Sequence, residues 1–248
     1  AHTRVGKVDG DNGDQTLYTL TFEALAQGPS EMSLGKVKLV DSHLVSTDQQ
    51  ADVKAGFQVD SSLPFDDLGD FSWALEAVNY LAGMGIVNGT GNRVFSPERA
   101  VSRADYVVLL MRALNLKGAA GAHFEDVEQG KYYEEAINTA RELGIVEGDD
   151  NNLFHPQASV TREDMMVLTE RALSKVTKLA SQADEAALQP FNDVSDISDY
   201  ALDSVSSLIK QGLVHGYGDG IHPKDTTNRA QAAVLIYNIL KSPDLLKK

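Results

Sequence analysis

The feature that most constrains this chain is a pattern of about 50 residues that occurs three times between residues 65 and 240. Each copy opens with a phenylalanine, at positions 65, 124 and 191, and an arginine follows 38 residues later in all three. The first two copies align without a gap at an offset of 59 residues. Self-similarity with a fixed period indicates a repeat architecture in which neighbouring units share one core.

Each copy contains two amphipathic stretches separated by a turn. In the first copy Ala74, Ala77, Val78 and Leu81 recur at helical spacing, and Gly85 follows as a residue suited to a left-handed helix end. A short Gly-[Ile/Leu]-Val-x-Gly segment then predicts an extended piece and a tight turn. Each copy is therefore predicted to form a helix, a turn and a second helix.

The second stretch of each copy opens with the pattern of a capping box, in which two side chains three residues apart bond each other's backbone amides. The pairs are Ser102 with Asp105, Thr161 with Asp164, and Asn228 with Gln231. Two short helices cannot enclose a core alone, but three such pairs about a common axis can. The connector at 174–190 is longer than its counterpart at 115–123, which predicts an extended second helix in the second copy.

Residues 1–60 differ from the repeats because their hydrophobic residues alternate. The alternation at 17–25 and 32–40 predicts strands, and Asp11-Asn-Gly-Asp14 predicts a hairpin turn. The acidic run 9–14 has some character of a calcium loop, but Leu20 stands where an EF-hand requires Glu. We therefore predict a hairpin turn there, in a β-rich segment that is the C-terminal part of a larger β-sandwich.

The composition argues against several classes of function. The chain of 248 residues has no cysteine, so disulfides and thiolate chemistry are excluded. Its net charge of −14 disfavours nucleic acid, and no apolar run is long enough for membrane insertion. The sequence lacks catalytic motifs and metal-ligand spacings, so we predict no enzymatic activity, no metal and no cofactor. With neither an initiator Met nor a signal segment, the chain is expected to be a piece of a longer protein.

The residues at the repeated positions resemble the surface-layer homology (SLH) domain family, whose signature tetrapeptide is Thr-Arg-Ala-Glu. The counterparts in this chain are Ser102-Arg103-Ala104-Asp105, Thr161-Arg162-Glu163-Asp164 and Asn228-Arg229-Ala230-Gln231. The resemblance covers about 175 residues, in the threefold number usual for the family. It implies a mainly α fold, a pseudo-threefold spindle with a central three-helix bundle. We place the repeats at 61–119, 120–179 and 180–248, after the β-rich segment.

The resemblance also implies a function. SLH domains bind a secondary cell-wall polysaccharide, often carrying pyruvylated N-acetylmannosamine, in grooves between neighbouring repeats. This chain is then expected to anchor a secreted bacterial protein non-covalently to the cell wall, outside a Gram-positive cell. The candidate ligand-binding residues are Arg103, Arg162, Arg229, Trp73, Tyr132, Tyr200, Asp67, Asp126, Asp193, Gly89, Gly148 and Gly216.

A weaker resemblance concerns the N-terminal segment. The runs at 18–25 and 36–41 are similar to the C-terminal strands of a cohesin-like β-sandwich. This likeness implies protein partners bound through an upstream β domain.

The motif arginines have two interpretations. Each follows an N-cap, where a cation costs roughly 0.3–1 kcal/mol against the helix dipole. A bound carboxylate, meeting the guanidinium and free backbone amides together, would compensate. The structural alternative is an ion pair with Asp67, Asp126 or Asp193 that fixes how repeats dock. The third copy departs from the family at Asn228, Gln231 and Ile221, so the groove on Arg229 is expected to be the poorest.

The other candidates also have structural alternatives. Trp73, Tyr132 and Tyr200 either stack on sugar rings or pack between repeats. The three glycines either let a ligand approach the backbone or satisfy a turn that needs positive φ. The three aspartates fit turn or arginine-pairing roles as well as ligand contact. His155 and His222, which precede the repeat prolines, are further possible contacts.

Two alternative functions stay open at this point. The repeats could self-associate into a surface lattice, with sugar binding secondary. Alternatively, residues 1–60 could end a glycan-hydrolysing domain of a cell-surface enzyme.

Overall fold

The computed structural model describes residues 28–40, 46–59, 64–118, 121, 123–177, 184–242 and 245. The chain divides into two compact units, residues 1–62 and residues 63–248. The predicted strand at 17–25 and the predicted turn at 11–14 lie outside the described residues.

The described part of the first unit is a two-stranded antiparallel ladder. Strand β1 (Gly28–Val40) pairs with β2 (Ser46–Val59), from Gly28 opposite Val59 to Val40 opposite Ser46. The register shifts between Leu34 and Lys36. The strand predicted from the alternation at 32–40 corresponds to the last nine of the 13 residues of β1.

The second unit is mainly helical, as predicted. The helices are α1 (Leu75–Gly83), α2 (Arg103–Ala113), α3 (Glu134–Glu142), α4 (Arg162–Val176), α5 (Glu185–Leu188), α6 (Leu202–Lys210) and α7 (Arg229–Lys241). Short 3-10 turns occupy Gly69–Ala74 and Val194–Asp196. The predicted extension in the second copy is confirmed, because α4 has 15 residues whereas α2 has 11.

The first helix of each repeat ends as the sequence predicts. Gly85, Gly144 and Gly212 have φ of 68°, 67° and 68°, the left-handed conformation that terminates helices most cheaply at glycine. The predicted apolar stripe of α1 is buried, with Ala77 and Leu81 both facing the core. The fixed end of this helix therefore sets where the following loop begins.

The second helix of each repeat begins at the predicted N-cap. Ser102, Thr161 and Asn228 each accept a hydrogen bond from the backbone amide three residues later. The full reciprocal capping box forms only in the third repeat, where Gln231 Oε1 accepts from the Asn228 amide at 3.0 Å. The shorter aspartates at this position in the other two repeats make different bonds, described below.

The three repeats close into a ring around a shared axis. The amide of Val101 donates to Thr227 O at 3.0 Å, Thr227 to Val160 O at 3.0 Å, and Val160 to Val101 O at 3.1 Å. Each first helix packs on the second helix of the preceding repeat: α3 on α2, α6 on α4, and α1 on α7. Because α1 returns to α7, repeats 1 and 3 are neighbours even though they are far apart in sequence.

The second helices supply the centre of the core. Tyr106 on α2 is fully buried, and its hydroxyl lies 2.6 Å from Thr169 Oγ1 on α4. Thr169 in turn donates to Met165 O within its own helix at 2.7 Å. This satisfied polar contact joins two repeats inside an otherwise apolar core, as buried hydroxyls require.

Candidate functional site

The side chain of each motif arginine extends out of its own repeat and contacts the loop of the next repeat. Arg162 donates from Nε to Ile221 O at 2.7 Å and from Nη2 to His215 O at 2.6 Å. Arg229 makes the same two kinds of bond, to Phe95 O at 2.9 Å and Asn88 O at 2.8 Å. Arg103 makes one of them, from Nε to Phe154 O at 3.1 Å. The arginines therefore dock neighbouring repeats.

The backbone amides at the start of the second helices are already occupied. The amide of Arg162 donates to Asp225 O at 2.9 Å, and that of Glu163 to Pro223 O at 2.9 Å. The other two repeats repeat this pattern, with Arg103 bonded to Ala158 O and Arg229 to Arg99 O. The prediction that free amides meet a ligand carboxylate is therefore wrong, because the next repeat takes those amides.

The three repeat aspartates brace the turns of their own repeats. Asp67, Asp126 and Asp193 each accept two consecutive backbone amides of the Phe/Ile-x-Pro segment, at 2.6–2.9 Å. Burial by itself would raise the pKa of Asp193, but the amides of Ile221 and His222 outweigh it and hold that pKa below its usual range. Among the described residues none of the three is ion-paired with a motif arginine, so the arginines dock on carbonyls instead of these carboxylates.

The three equivalent aromatic residues are exposed. Trp73, Tyr132 and Tyr200 present 55%, 62% and 57% of their surface to solvent, so they are not core residues. Tyr132 donates to Asp105 of the preceding repeat at 2.6 Å, and Tyr200 to Asp164 at 2.9 Å. Burial, and then the bond to Asp105, raises the pKa of Tyr132 to about 12. Asp105 and Asp164 were predicted to complete capping boxes, but in the structure they accept hydrogen bonds from these tyrosines.

The glycines of the repeat loops are required for close packing. A Cβ at Gly89 would lie 2.7 Å from the Phe65 ring, and one at Gly148 would lie 2.6 Å from the Phe124 ring. Gly216 is packed in the same way against Phe191. None of the three has positive φ, so the predicted need for a left-handed conformation is wrong at these positions.

The candidate residues come together in three grooves, each built by three different repeats. One repeat supplies the arginine, the next supplies the loop and the fourth motif residue, and the remaining one supplies the exposed aromatic. We name each groove by its arginine. The Arg103 groove contains Asp164 and Tyr200, the Arg229 groove contains Asp105 and Tyr132, and the Arg162 groove contains Gln231 and Trp73.

The Arg162 groove contains a cavity of about 410 Å³. Its lining includes Trp73, Gly216, Tyr217 and Gln231 along with Arg162. Asn228, Gln231 and Ile221 were expected to weaken the Arg229 groove, but the structure places Gln231 and Ile221 beside Arg162. A departure within one repeat therefore alters a groove whose arginine comes from the preceding repeat, while the binding rank of the Arg229 groove stays a prediction.

A ring packs against the guanidinium in every groove. Arg103 lies 4.9 Å from the Phe154 ring centre and Arg229 lies 4.6 Å from that of Phe95. The third repeat has Ile221 at this position, and Tyr217 supplies the ring instead, 5.3 Å from Arg162. Sequence reasoning missed Tyr217. The sequence signal was that Tyr217 stands four residues before Ile221, the position at which the other two repeats have a phenylalanine.

Tyr217 is itself held in place by its neighbours. Its ring stacks on His222 with centres 4.1 Å apart, and its hydroxyl donates to Asp225 at 2.7 Å. Burial, and then the bond to Asp225, raises the pKa of Tyr217 to about 12. Burial lowers the pKa of Arg162, an effect that nearby Tyr217, Asp225 and Asp193 oppose.

His155 has a different role from His222, since it bonds Asp149 at 3.0 Å in its own turn.

No group of three His, Asp or Glu side chains that could hold a metal ion occurs in the described part of the chain. Within the same residues, no helix has both the length and the apolar composition that a membrane span requires. The chemistry available in the grooves is hydrogen bonding, ring stacking and the positive charge of each motif arginine, and Arg99 adds a second positive charge near Arg229 and Tyr132.

The fold and its grooves define a ring of helical repeats whose candidate ligand sites lie between repeats. A model of the S-layer homology domain matches residues 64–107, 123–166 and 190–233, more than half of the chain. The chain belongs to the S-layer homology domain family.

Curated relatives include both enzymes and surface-layer proteins. Exoglucanase XynX of Acetivibrio thermocellus is 34% identical over 187 residues, which is 75% of this chain and 17% of the relative. Amylopullulanase of Thermoanaerobacterium thermosulfurigenes is 34% identical over 189 residues, 75% of this chain and 10% of the relative. S-layer protein sap of Bacillus anthracis is 28% identical over 174 residues, 69% of this chain and 20% of the relative.

The chain thus spans a fifth or less of the length of these three relatives. Family membership, with surface-layer proteins among the relatives, indicates a protein associated with the cell surface or cell wall. It supports cell-wall anchoring in general terms.

Proposed function

We propose that this chain anchors a secreted bacterial protein non-covalently to the cell wall by binding a secondary cell-wall polysaccharide in its inter-repeat grooves. The observation that carries this proposal is the composite groove, which joins a guanidinium, an exposed aromatic ring and a tightly packed glycine loop. Aromatic rings offer an apolar surface to sugar rings, and the polar groups around them fix orientation.

The arginines also fit an acidic sugar such as pyruvylated N-acetylmannosamine. A guanidinium has five N–H donors. Arg162 uses Nε and Nη2 on two carbonyls, which leaves further N–H groups for a ligand carboxylate. Such local positive charge is needed because the chain as a whole carries −14, which repels anions at long range.

A long polymer suits a protein with more than one groove. If several grooves engage one polymer, the second contact is intramolecular and the apparent affinity rises without new interactions. If one groove dominates, anchoring depends on its affinity alone.

Two other functions have some support from the relatives. S-layer proteins among them favour a self-assembling surface lattice as a second candidate. The exoglucanase and amylopullulanase favour a parent enzyme as a third candidate, but the parts that match this chain make up 17% and 10% of them. We assign the repeats to anchoring and propose that they carry no catalytic activity.

The test is co-sedimentation with Gram-positive sacculi before and after extraction of the secondary polymer. We expect the chain to sediment with intact sacculi and to stay in the supernatant after extraction. Equal binding to extracted sacculi would contradict polysaccharide anchoring. Analytical ultracentrifugation without polymer separates the lattice alternative, which requires mass that grows with concentration.

A further inference from the structure

The three grooves differ in how their aromatic residue is held. In the Arg229 groove the Tyr132 hydroxyl donates to Asp105 at 2.6 Å. In the Arg103 groove the Tyr200 hydroxyl donates to Asp164 at 2.9 Å, and Asp164 also lies 3.5 Å from the Arg103 guanidinium. We call these two Tyr–Asp hydrogen bonds the latches. Each joins two repeats across a groove and uses polar groups that a ligand would need.

The Arg162 groove has no latch. Gln231 occupies the position of the latch aspartates, and its side-chain oxygen is committed to the Asn228 amide at 3.0 Å. Across the described residues, the Trp73 side chain makes no hydrogen bond and Arg162 has no ion pair. The Trp73 ring of the Arg162 groove is therefore free to contact a ligand.

A sugar needs only a small cavity, and the Arg162 groove contains a cavity of suitable size. The cavity of about 410 Å³ between Trp73, Arg162 and Tyr217 falls within the usual range of small-molecule sites, roughly 300–1,000 Å³. Trp73 stands 55% exposed at its edge. The wall opposite is fixed, because Tyr217 is bonded to Asp225 and stacked on His222.

We infer that the grooves are unequal: the saccharide binds in the Arg162 groove, between Trp73 and Tyr217, while the latches keep the Arg103 and Arg229 grooves closed to it. This inference rests on the proposed function and names the one groove that performs it. It predicts a stoichiometry of one saccharide per chain.

The chain contains a natural reporter for this test. Trp73 is its single tryptophan, so its fluorescence reports the Arg162 groove alone. The probe is a set of short saccharides, released from the secondary polymer of purified Gram-positive sacculi and fractionated by size. We expect calorimetry to give one site per chain, and the tryptophan emission to change along the same binding curve.

Three matched variants then identify the groove. Trp73→Ala should weaken binding at least about tenfold in calorimetry, an easily measured change. Tyr132→Phe and Tyr200→Phe keep the ring but remove the latch hydroxyl, so each should raise the calorimetric stoichiometry from one saccharide per chain to two. All three side chains are mostly exposed, so the ring should stay folded, and thermal melts of each variant check this.

The outcomes separate the inference from the function on which it rests. Two or three sites per wild-type chain, or full calorimetric binding with unchanged tryptophan emission, would overturn the inference and leave polysaccharide anchoring in place. An affinity left unchanged by Trp73→Ala, or a stoichiometry of one in both Phe variants, would also overturn it. Failure of the wild type to bind the saccharides and the intact sacculi alike would overturn the proposed function itself.

Discussion

Replacement of Arg162 by alanine should destabilise the ring of repeats even when no ligand is present. The side chain is 7% exposed and bonds the carbonyls of Ile221 and His215 in the next repeat. Its loss leaves two acceptors without their partner in a largely buried contact. At about 1–3 kcal/mol for each of the two unsatisfied groups, the cost is roughly 2–6 kcal/mol.

This cost is large enough to measure by thermal unfolding. For a unit of this size each kcal/mol shifts the midpoint by about 2–4 °C, so Arg162→Ala should lower it by roughly 4–24 °C. Arg103→Ala removes one carbonyl bond and a partly exposed 3.5 Å ion pair with Asp164, and should have a smaller effect. Arg112 is exposed on α2, and its replacement by alanine is the matched control.

Circular dichroism of the full chain, without saccharide, is the assay. Arg162→Ala should unfold well below the wild type, Arg103→Ala between the two, and Arg112→Ala together with the wild type. If Arg162→Ala melted at the wild-type temperature, the view that motif arginines dock the repeats would be refuted. The carbonyl contacts would then be incidental, and ligand contact would be the sole reason for an arginine at this position.

Further predictions concern packing and pH. Gly148→Ala should destabilise the ring by about 1–3 kcal/mol because its Cβ would meet the Phe124 ring; Gly69→Ala, with open space around it, is the thermal-melt control. Burial opposes ionisation of Glu163, yet bonds from Lys224 and Ser198 hold its pKa below the ordinary 4.5. Its stabilisation should thus be complete above pH 4.5 and lost as the pH falls through the lowered value. Glu163→Gln should flatten that dependence in acid-unfolding curves, and an unchanged curve would refute this.

The parts of the fold that depend on neighbouring residues could be predicted from the sequence. N-caps such as Ser102 and Thr161 and helix ends such as Gly85 act over three or four residues, so their positions follow from the local pattern. The ring could be predicted from the threefold repeat, because pairs of short helices must share one core. The Gln231 capping box was predicted correctly for the same local reason.

Which residues line each groove could not be predicted. Aligning the repeats shows which positions correspond to one another, but not which residues of different repeats are in contact. Arg162 meets a loop from the third repeat and a tryptophan from the first, and no sequence spacing encodes that meeting. The latches were missed for a related reason. Asp105 was expected to complete its own cap, but the hydroxyl of Tyr132 from another repeat competes for the same carboxylate.

The docking and ligand interpretations of the motif arginines are compatible, and this changes how mutants must be read. Arg162 holds two repeats together and also lines the cavity, so its loss would weaken saccharide binding with or without direct contact. A binding defect in Arg162→Ala alone therefore cannot separate these roles. Trp73 lines the same cavity but is mostly exposed and holds nothing in place by hydrogen bonds among the described residues. A defect in Trp73→Ala with an unchanged melting temperature assigns binding to the groove itself.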